Sequence, residues 1–553
     1  MKMKMKMKTK TKLYTRRFLL ALLAILMLLV LAGCARNTPS PASGVSSAPS
    51  VSASSPSTTE ALSQAPAQTV NLDAEIVLGG YRNLAPGEED GYYCSKILYV
   101  WEPLITQDDN ATPIPCLAES WEMSGDGKEW VFKLREGVKF HDGEPFNADA
   151  VVACFDRMSQ GVKSSRFYPL DINTHYPNLE SYQKVDDYNF KLIFSEPAPT
   201  QLYNMVNFGS AIFSPKGFTP DGDFNGLVQG TGQFKLIENV LDEYLLLERN
   251  EDYYGEKAKA KYIRIMRIPD ADTRFSALKS GEILGVLDLN AIPASLAVEL
   301  NGDPDFALST NKSTMIQYLA LNGTKAPFDD VRMRQAVSLA LNRATLVDDL
   351  NYGFGVPTTN VLNYSTPFYK DFPVDEDMEK AKSLASEVLG GGRAEVTYLI
   401  SDSDSAEKIE AELIAAWLSE IGLDISIQPV ESAVMREDMK AANYGIARMD
   451  QGLSNSEAAT IFRRFMLVSG DQNQNYSLGY QSNEVDKLMA EAAATLDMDT
   501  RKALYDQIQE ISTREFPIVP LYNNVTLLAY STKLTGYDAK LYGLELPSII
   551  WAQ

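Results

Sequence analysis

The segment from Glu119 to Arg157, ESWEMSGDGKEWVFKLREGVKFHDGEPFNADAVVACFDR, most constrains what this chain can fold into. Trp121 and Met123, then Trp130, Phe132 and Leu134, alternate with polar residues on either side of a turn at Gly125 to Gly127. That period of two predicts a half-buried β-hairpin. Gly137 breaks the chain, and the short run Val138-Lys139-Phe140 leads into the polar turn His141-Asp142-Gly143-Glu144-Pro145. Asn147 stands where an N-cap precedes a helix over Ala148 to Arg157, with Val151, Val152 and Phe155 as its apolar stripe. Hairpin, turn and helix form a compact scaffold that carries no chemistry of its own.

The chain has 553 residues, 45% of them apolar, enough for two or three domains with a substantial core. Its formal charge is -22, and the first 33 residues carry eight basic and no acidic side chains. Removing those eight takes -22 to -30 for a chain beginning at Cys34. Such a surface argues against nucleic acid as a partner.

The basic start MKMKMKMKTKTKLYTRR, the apolar run Phe18 to Ala32 and Leu31-Ala32-Gly33-Cys34 predict a cleaved export signal. Fifteen apolar residues are short for a membrane span, which needs about 20. The other reading is an uncleaved signal anchor; in both, the folded part lies outside the cytoplasm. Ala35 to Val70 is Ser, Ala, Pro and Thr with almost no large apolar side chain, the composition of a flexible tether. Beyond Cys34 there are Cys94, Cys116 and Cys154, so one disulfide at most forms, and Cys154 is expected to be buried as a small hydrophobe.

AESW, W-F-L-R-x-G-V-K-F-H-D-G-x-P-F and the following A-D-x-V resemble the signature of family 5 of the bacterial extracellular solute-binding proteins, the receptors of peptide and nickel ABC importers. Gly230-Thr231-Gly232-Gln233-Phe234 resembles the family's G-T-G-P-Y, and Asn322 to Arg343 its L-N-x-x-x-x-P-F-x-D-x-R-V-R-Q-A pattern, with Met333 for valine. L-A-G-C resembles a lipoprotein box, which implies lipidation at Cys34 and a membrane anchor. The resemblance covers about Leu72 to the C-terminus.

It implies an α/β fold of two lobes, periplasmic-binding-protein-like and of class II type, with a small domain inserted in the first lobe. The expected divisions are a signal peptide at 1–33, a tether at 34–70, lobe 1 at 71–112 and 226–320, the insert at 113–225, lobe 2 at 321–520 and a return to lobe 1 at 521–553. Implied partners are a peptide or metal-chelate ligand, an ABC permease and its ATPase subunits, with the receptor working as a monomer and needing no cofactor.

Between elements of this kind, ligand contacts come from loops. The resemblance places the loop after the first strand near the ligand, with Asn83 and Leu84 as candidates and Glu88 and Glu89 as caps of the next helix. Arg166 and Tyr168 stand where nickel-binding relatives hold a metal chelate; physically, Arg166 suits a ligand carboxylate, or is a surface arginine. The loop from Arg448 to Ala458 falls where peptide-binding relatives place an aspartate on the peptide ammonium. Here Arg448, Asp450, Gln451 and Glu457 are the candidates; either Asp450 or Glu457 could pair with an amine, and Arg448, Arg463 and Arg464 could serve an anion.

An enzyme is not expected. The chain has two histidines, His141 and His175, and neither lies in H-E-x-x-H; no G-x-S-x-G elbow is present. A peptide receptor leads, a nickel or other metal-chelate receptor follows, and an extracellular hydrolase using one imidazole is the reading from another class.

Overall fold

The computed structural model describes residues 72–85, 94, 97–161, 172–206, 210–402, 405–452 and 456–552. Cys34, Arg166, Tyr168, Glu88 and Glu89 lie outside the described residues. The architecture is α/β in two lobes, and one large sheet runs through both.

The sheet has 11 strands. In chain order they are β1 (Glu75–Gly80), β6 (Phe234–Val240), β7 (Tyr244–Arg249), β8 (Tyr262–Arg267), β9 (Gly285–Val286), β10 (Phe306–Leu321), β11 (Gly355–Pro357), β12 (Ala394–Ser401), β13 (Leu423–Val430), β14 (Ile446–Gly452) and β15 (Val519–Ser531). The spatial order is β6-β7-β8-β1-β9-β15-β10-β14-β12-β13, with β11 paired to β15. Strands β1, β8 and β9 are mutually parallel, as are β12, β13 and β14. Only the antiparallel pair β10 and β15 belongs to both groups.

The insert is a four-stranded antiparallel sheet, β2 (Ala118–Met123), β3 (Glu129–Leu134), β4 (Leu179–Asp186) and β5 (Asn189–Phe194), in the order β2-β3-β5-β4. Helix α1 (Ala148–Ser159) packs on it, capped by Asn147, whose side chain accepts from the Ala150 amide as its position in the sequence predicts. The Phe155 ring lies 5.0 Å from Phe190 and 5.1 Å from Tyr182. Val151, Cys154, Phe155 and Met158 form the buried face; Val152, expected on that stripe, is only half buried.

Lobe 1 adds α2 (Ala271–Ser280), capped by Asp270. Lobe 2 adds α3 (Val331–Ala340), α4 (Met378–Leu389), α5 (Ser405–Glu420), α6 (Ser432–Lys440), α7 (Ala458–Met466), α8 (Asn483–Ala494) and α9 (Met498–Glu515). Aspartates or a serine cap several of them: Asp330, Asp377, Ser482 and Asp497 each accept from an amide in the first turn. Lobe 1 and the insert share one apolar core, which includes Leu528, Tyr537, Leu541 and Ile549 from the end of the chain. Two further cores flank the lobe 2 sheet.

Strand β9 is a ladder of only Gly285–Val286, and the Tyr537 hydroxyl donates to the Val286 carbonyl at 2.6 Å. Gly285 makes room for that phenol, since a Cβ there would stand 2.4 Å from its oxygen. The crossing strand β10 begins at Phe306, and its first part, Phe306 to Lys312, pairs with the lobe 1 end of β15.

Cys94, Cys116 and Cys154 form no disulfide, and burial pushes the Cys154 thiol up to about 11. No helix among the described residues is long and apolar enough to cross a membrane.

Candidate functional site

Strand direction locates the site. Because β9 and β10 both run antiparallel to β15, β10 enters lobe 2 in the direction in which β1, β8 and β9 point. Strand β14 runs antiparallel to β10, so β12, β13 and β14 point back at lobe 1. The carboxyl ends of the two parallel sets therefore face each other across the crossing pair, where open α/β sheets hold their ligands. Gly80, Arg267 and Val286 end the strands on one rim, and Ser401, Val430 and Gly452 on the other.

At the crossing itself the β10–β15 ladder breaks between Lys312 and Ile316. Tyr364 fills the gap: its hydroxyl accepts from the Ser313 amide at 3.3 Å and donates to the Asn524 carbonyl at 2.7 Å. Gln317 adds a side-chain bond to Asn524 Oδ1 at 2.7 Å. A pair of strands with this interruption is a natural bending point.

On the lobe 1 rim, the Asn83 amide donates to Asp242 at 3.0 Å and its carbonyl accepts the Asp242 N–H at 3.1 Å, tying the loop after β1 to the β6–β7 turn. Leu84 is 1% exposed and belongs to the lobe 1 core. On the lobe 2 rim, Arg448 is placed on β14 opposite Leu319 and turns inward. Its Nε donates to Glu410 of α5 at 2.8 Å, and Nη1 donates to Gln317; Glu410 also accepts the Tyr522 hydroxyl at 2.8 Å. A buried guanidinium and carboxylate with these extra donors form a self-contained unit.

Asp450 stands opposite Gln317 on the same strand and is exposed. Gln451 Oε1 accepts from Arg464 Nη1 at 3.0 Å, and Arg464 Nε lies 3.2 Å from Asp471. Glu457 caps α7, accepting the Ala459 amide at 3.0 Å and the Tyr505 hydroxyl at 2.7 Å, and is 2% exposed. Burial, together with that carboxylate, pushes the Tyr505 phenol well above its ordinary range. Of the described candidates, Asn83, Asp450 and Gln451 thus lie on the facing rims, while Leu84, Arg448 and Glu457 are held in packing or ion-pair roles behind them.

The contact that brings the lobes together involves residues the sequence does not single out. The Ser456 amide donates to the Tyr203 carbonyl of the insert at 3.3 Å, and its hydroxyl donates to Gln107 at 3.3 Å. The Tyr203 ring packs 5.1 Å from Phe368 of lobe 2. These partners are hundreds of residues apart and share no motif, so no local signal marks them.

A separate cavity of about 560 Å³ lies within lobe 1, lined by Tyr99, Glu102, Arg135, Tyr253, Tyr254 and Lys540. Its buried carboxylate is engaged: Glu102 accepts from Tyr253 at 2.7 Å, Tyr254 at 3.0 Å and Thr231 at 2.7 Å. Burial raises the Glu102 pKa, and these donors only partly offset it.

His141, one of the two imidazoles a hydrolase would need, joins the insert to lobe 1. Its ring Nε2 lies 3.0 Å from the Gly232 carbonyl and its backbone amide donates to Gly230 at 2.9 Å. Among the described residues no group of three His, Cys, Asp or Glu side chains is placed to hold a metal ion.

The model of the bacterial extracellular solute-binding proteins, family 5 (middle), matches residues 112–473. Heme-binding protein A of Haemophilus influenzae is 28% identical over 481 residues, 82% of this chain and 87% of that protein. The nickel-binding periplasmic protein of Escherichia coli K12 is 28% identical over 438 residues (74% and 80%), and its glutathione-binding protein GsiB is 26% identical over 432 (76% and 82%). Among solved structures, the periplasmic binding protein DppA of Helicobacter pylori in complex with the peptide STSA has a TM-score of 0.69 at 23% identity, over 87% of this chain and 99% of that one.

Proposed function

Because the chain belongs to the family 5 bacterial extracellular solute-binding proteins, whose members serve ABC importers, we propose that it is a receptor that captures peptides outside the cytoplasm and hands them to a membrane permease. It acts by binding and not by catalysis, as a monomer tethered through a lipid on Cys34, and the permease is driven by separate ATPase subunits.

The observation that carries the peptide reading is Asp450. Its exposed carboxylate sits near the carboxyl end of β14, on the rim that faces lobe 1. A peptide ammonium pairs with such a group through charge-assisted hydrogen bonds. The similarity to a glutathione-binding protein is in keeping with a short peptide as cargo. Closure follows from differential affinity: a solute that touches both rims binds the closed arrangement more tightly and shifts the population toward it.

Native mass spectrometry of the full-length chain, purified gently from its host's envelope, tests the reading. The expected result is a set of small added masses that fragment into amino acids. A single added mass with a nickel isotope pattern, lost on chelation, replaces peptide by metal chelate. Asp450→Asn is expected to weaken peptide binding roughly tenfold, the loss of one charge-assisted contact. Equal affinity of the variant and the parent, by calorimetry with the recovered peptide, removes Asp450 from the site.

A further inference from the structure

The cavity of about 560 Å³ within lobe 1 is lined by no residue of lobe 2 and by none of the strand ends on the facing rims. Its size is that of a pocket for a small organic molecule. Five aromatic side chains line it: Tyr99, Trp101, Tyr253, Tyr254 and Tyr542. Tyr99 sits in the left-handed backbone region with φ 55°, which an aromatic residue rarely adopts and which recurs at ligand clamps.

Glu102 is the buried acid of the wall, 9% exposed. The close approach of Gly230-Thr231-Gly232 to Tyr99 and Val100 brings the Thr231 hydroxyl to Glu102 Oε2 at 2.7 Å. Tyr253 and Tyr254 donate to Oε1 at 2.7 and 3.0 Å, and the Cys116 thiol, at 3.8 Å from the same oxygen, is a fourth donor. A carboxylate offers about four lone-pair sites, so these donors fill it. All of them are neutral, and among the described residues no lysine or arginine pairs with Glu102. Its acceptor sites are taken, while no side chain of the protein supplies its counter-charge.

The rest of the wall is negative as well. Lys540 stands 3.1 Å from Asp109 and 3.1 Å from Glu545, and burial together with those two carboxylates pushes the Tyr99 phenol up. Among the lining residues four acids, Glu102, Asp108, Asp109 and Glu545, meet two bases, Arg135 and Lys540. A negative cavity walled by aromatic rings attracts a cation, and the Tyr254 ring already holds the Arg135 guanidinium at 5.4 Å. A phenol that donates to a carboxylate has an electron-richer ring, which strengthens that attraction. An ammonium with many N–H groups needs acceptors, and those of Glu102 are occupied. An alkylated ammonium needs only charge and ring faces.

We propose that this cavity is a second solute site, which takes a small organic cation with an alkylated ammonium nitrogen. Glu102 supplies the counter-charge, and Tyr253 and Tyr254 supply ring faces. The site is independent of what the cleft between the lobes holds.

The test titrates the full-length chain by calorimetry with choline and with its uncharged isostere, 3,3-dimethyl-1-butanol. Choline is expected to bind at one site and roughly tenfold more tightly than the alcohol, the contribution of a desolvated cation on aromatic faces. Ethanolamine, with hydrogens in place of the methyl groups, should bind more weakly than choline. Glu102→Gln keeps the shape and removes the charge, so it should bring choline and the alcohol to the same affinity. Tyr254→Leu, at a residue that is 37% exposed, removes one ring; it should weaken choline severalfold and serves if the glutamine variant does not fold. Asp450→Asn separates cavity from cleft and should leave choline affinity unchanged. Absence of choline binding, equal affinity for choline and the alcohol, or a choline affinity that neither cavity variant lowers overturns the proposal. Ethanolamine binding as tightly as choline overturns the alkylated class, and loss of choline on Asp450→Asn moves the cation to the cleft and overturns the second site.

Discussion

Burial pushes the His141 imidazole down to about 4 from the ordinary 6.5. Between those two values the unfolded chain binds a proton that the folded chain does not, so stability rises with pH across that window. The contribution is full above pH 6.5 and is lost as pH falls toward 4. His141→Gln removes it: the stability gap between parent and variant should shrink from pH 7 to pH 4 by at most about 3 kcal/mol, read from urea midpoints at each pH. A gap that stays constant would mean the imidazole titrates normally. At this scale the sequence was legible where the chemistry is local. Asn147 and Asp270 cap the helices that follow them because the donating amide is three residues away. Arg448 was not legible in the same way, since its partner Glu410 is 38 residues off on another element and only the folded sheet brings the two together.

The turn Gly230-Thr231-Gly232 is an element defined by close approach. A Cβ on Gly232 would stand 2.2 Å from the Tyr99 carbonyl oxygen, and the Gly232 amide donates to Val100 at 3.0 Å. Backbone lies against backbone there, with no side chain to move aside. Gly232→Ala should therefore cost about 3 kcal/mol, the upper end for an overpacked site, and show as a lowered urea midpoint with unchanged slope. Strands were legible from alternation wherever one face is buried throughout, as in β3, where Trp130, Phe132 and Leu134 all point inward. Strand β10 was only half legible. Its first seven residues pair with the lobe 1 end of β15 and its last seven with β14 of lobe 2, so burial changes along its length and period-2 counting loses the first part.

The two-lobed arrangement rested on resemblance and not on periodicity, because what divides the molecule is the pairing of β10 with β15, two segments about two hundred residues apart. The lobes meet again through the Tyr203 to Phe368 ring contact and the bonds of Ser456. Tyr203→Ala removes the ring while sparing both rims. Its expected signature is faster solute release, roughly tenfold by stopped-flow tryptophan fluorescence, with little change in the association rate. An unaltered release rate would show that the insert contact has no part in holding the closed state.

The order in which the chain is made has a consequence of its own. Lobe 1 is begun first, yet the strand beside β9 is β15, and Tyr537, Leu541 and Ile549 complete its core. Every residue of lobe 2 emerges before those do. A polypeptide leaving its cell from the N-terminus thus carries an unfinished first half until the last few dozen residues have crossed. Only then can the core of lobe 1 close.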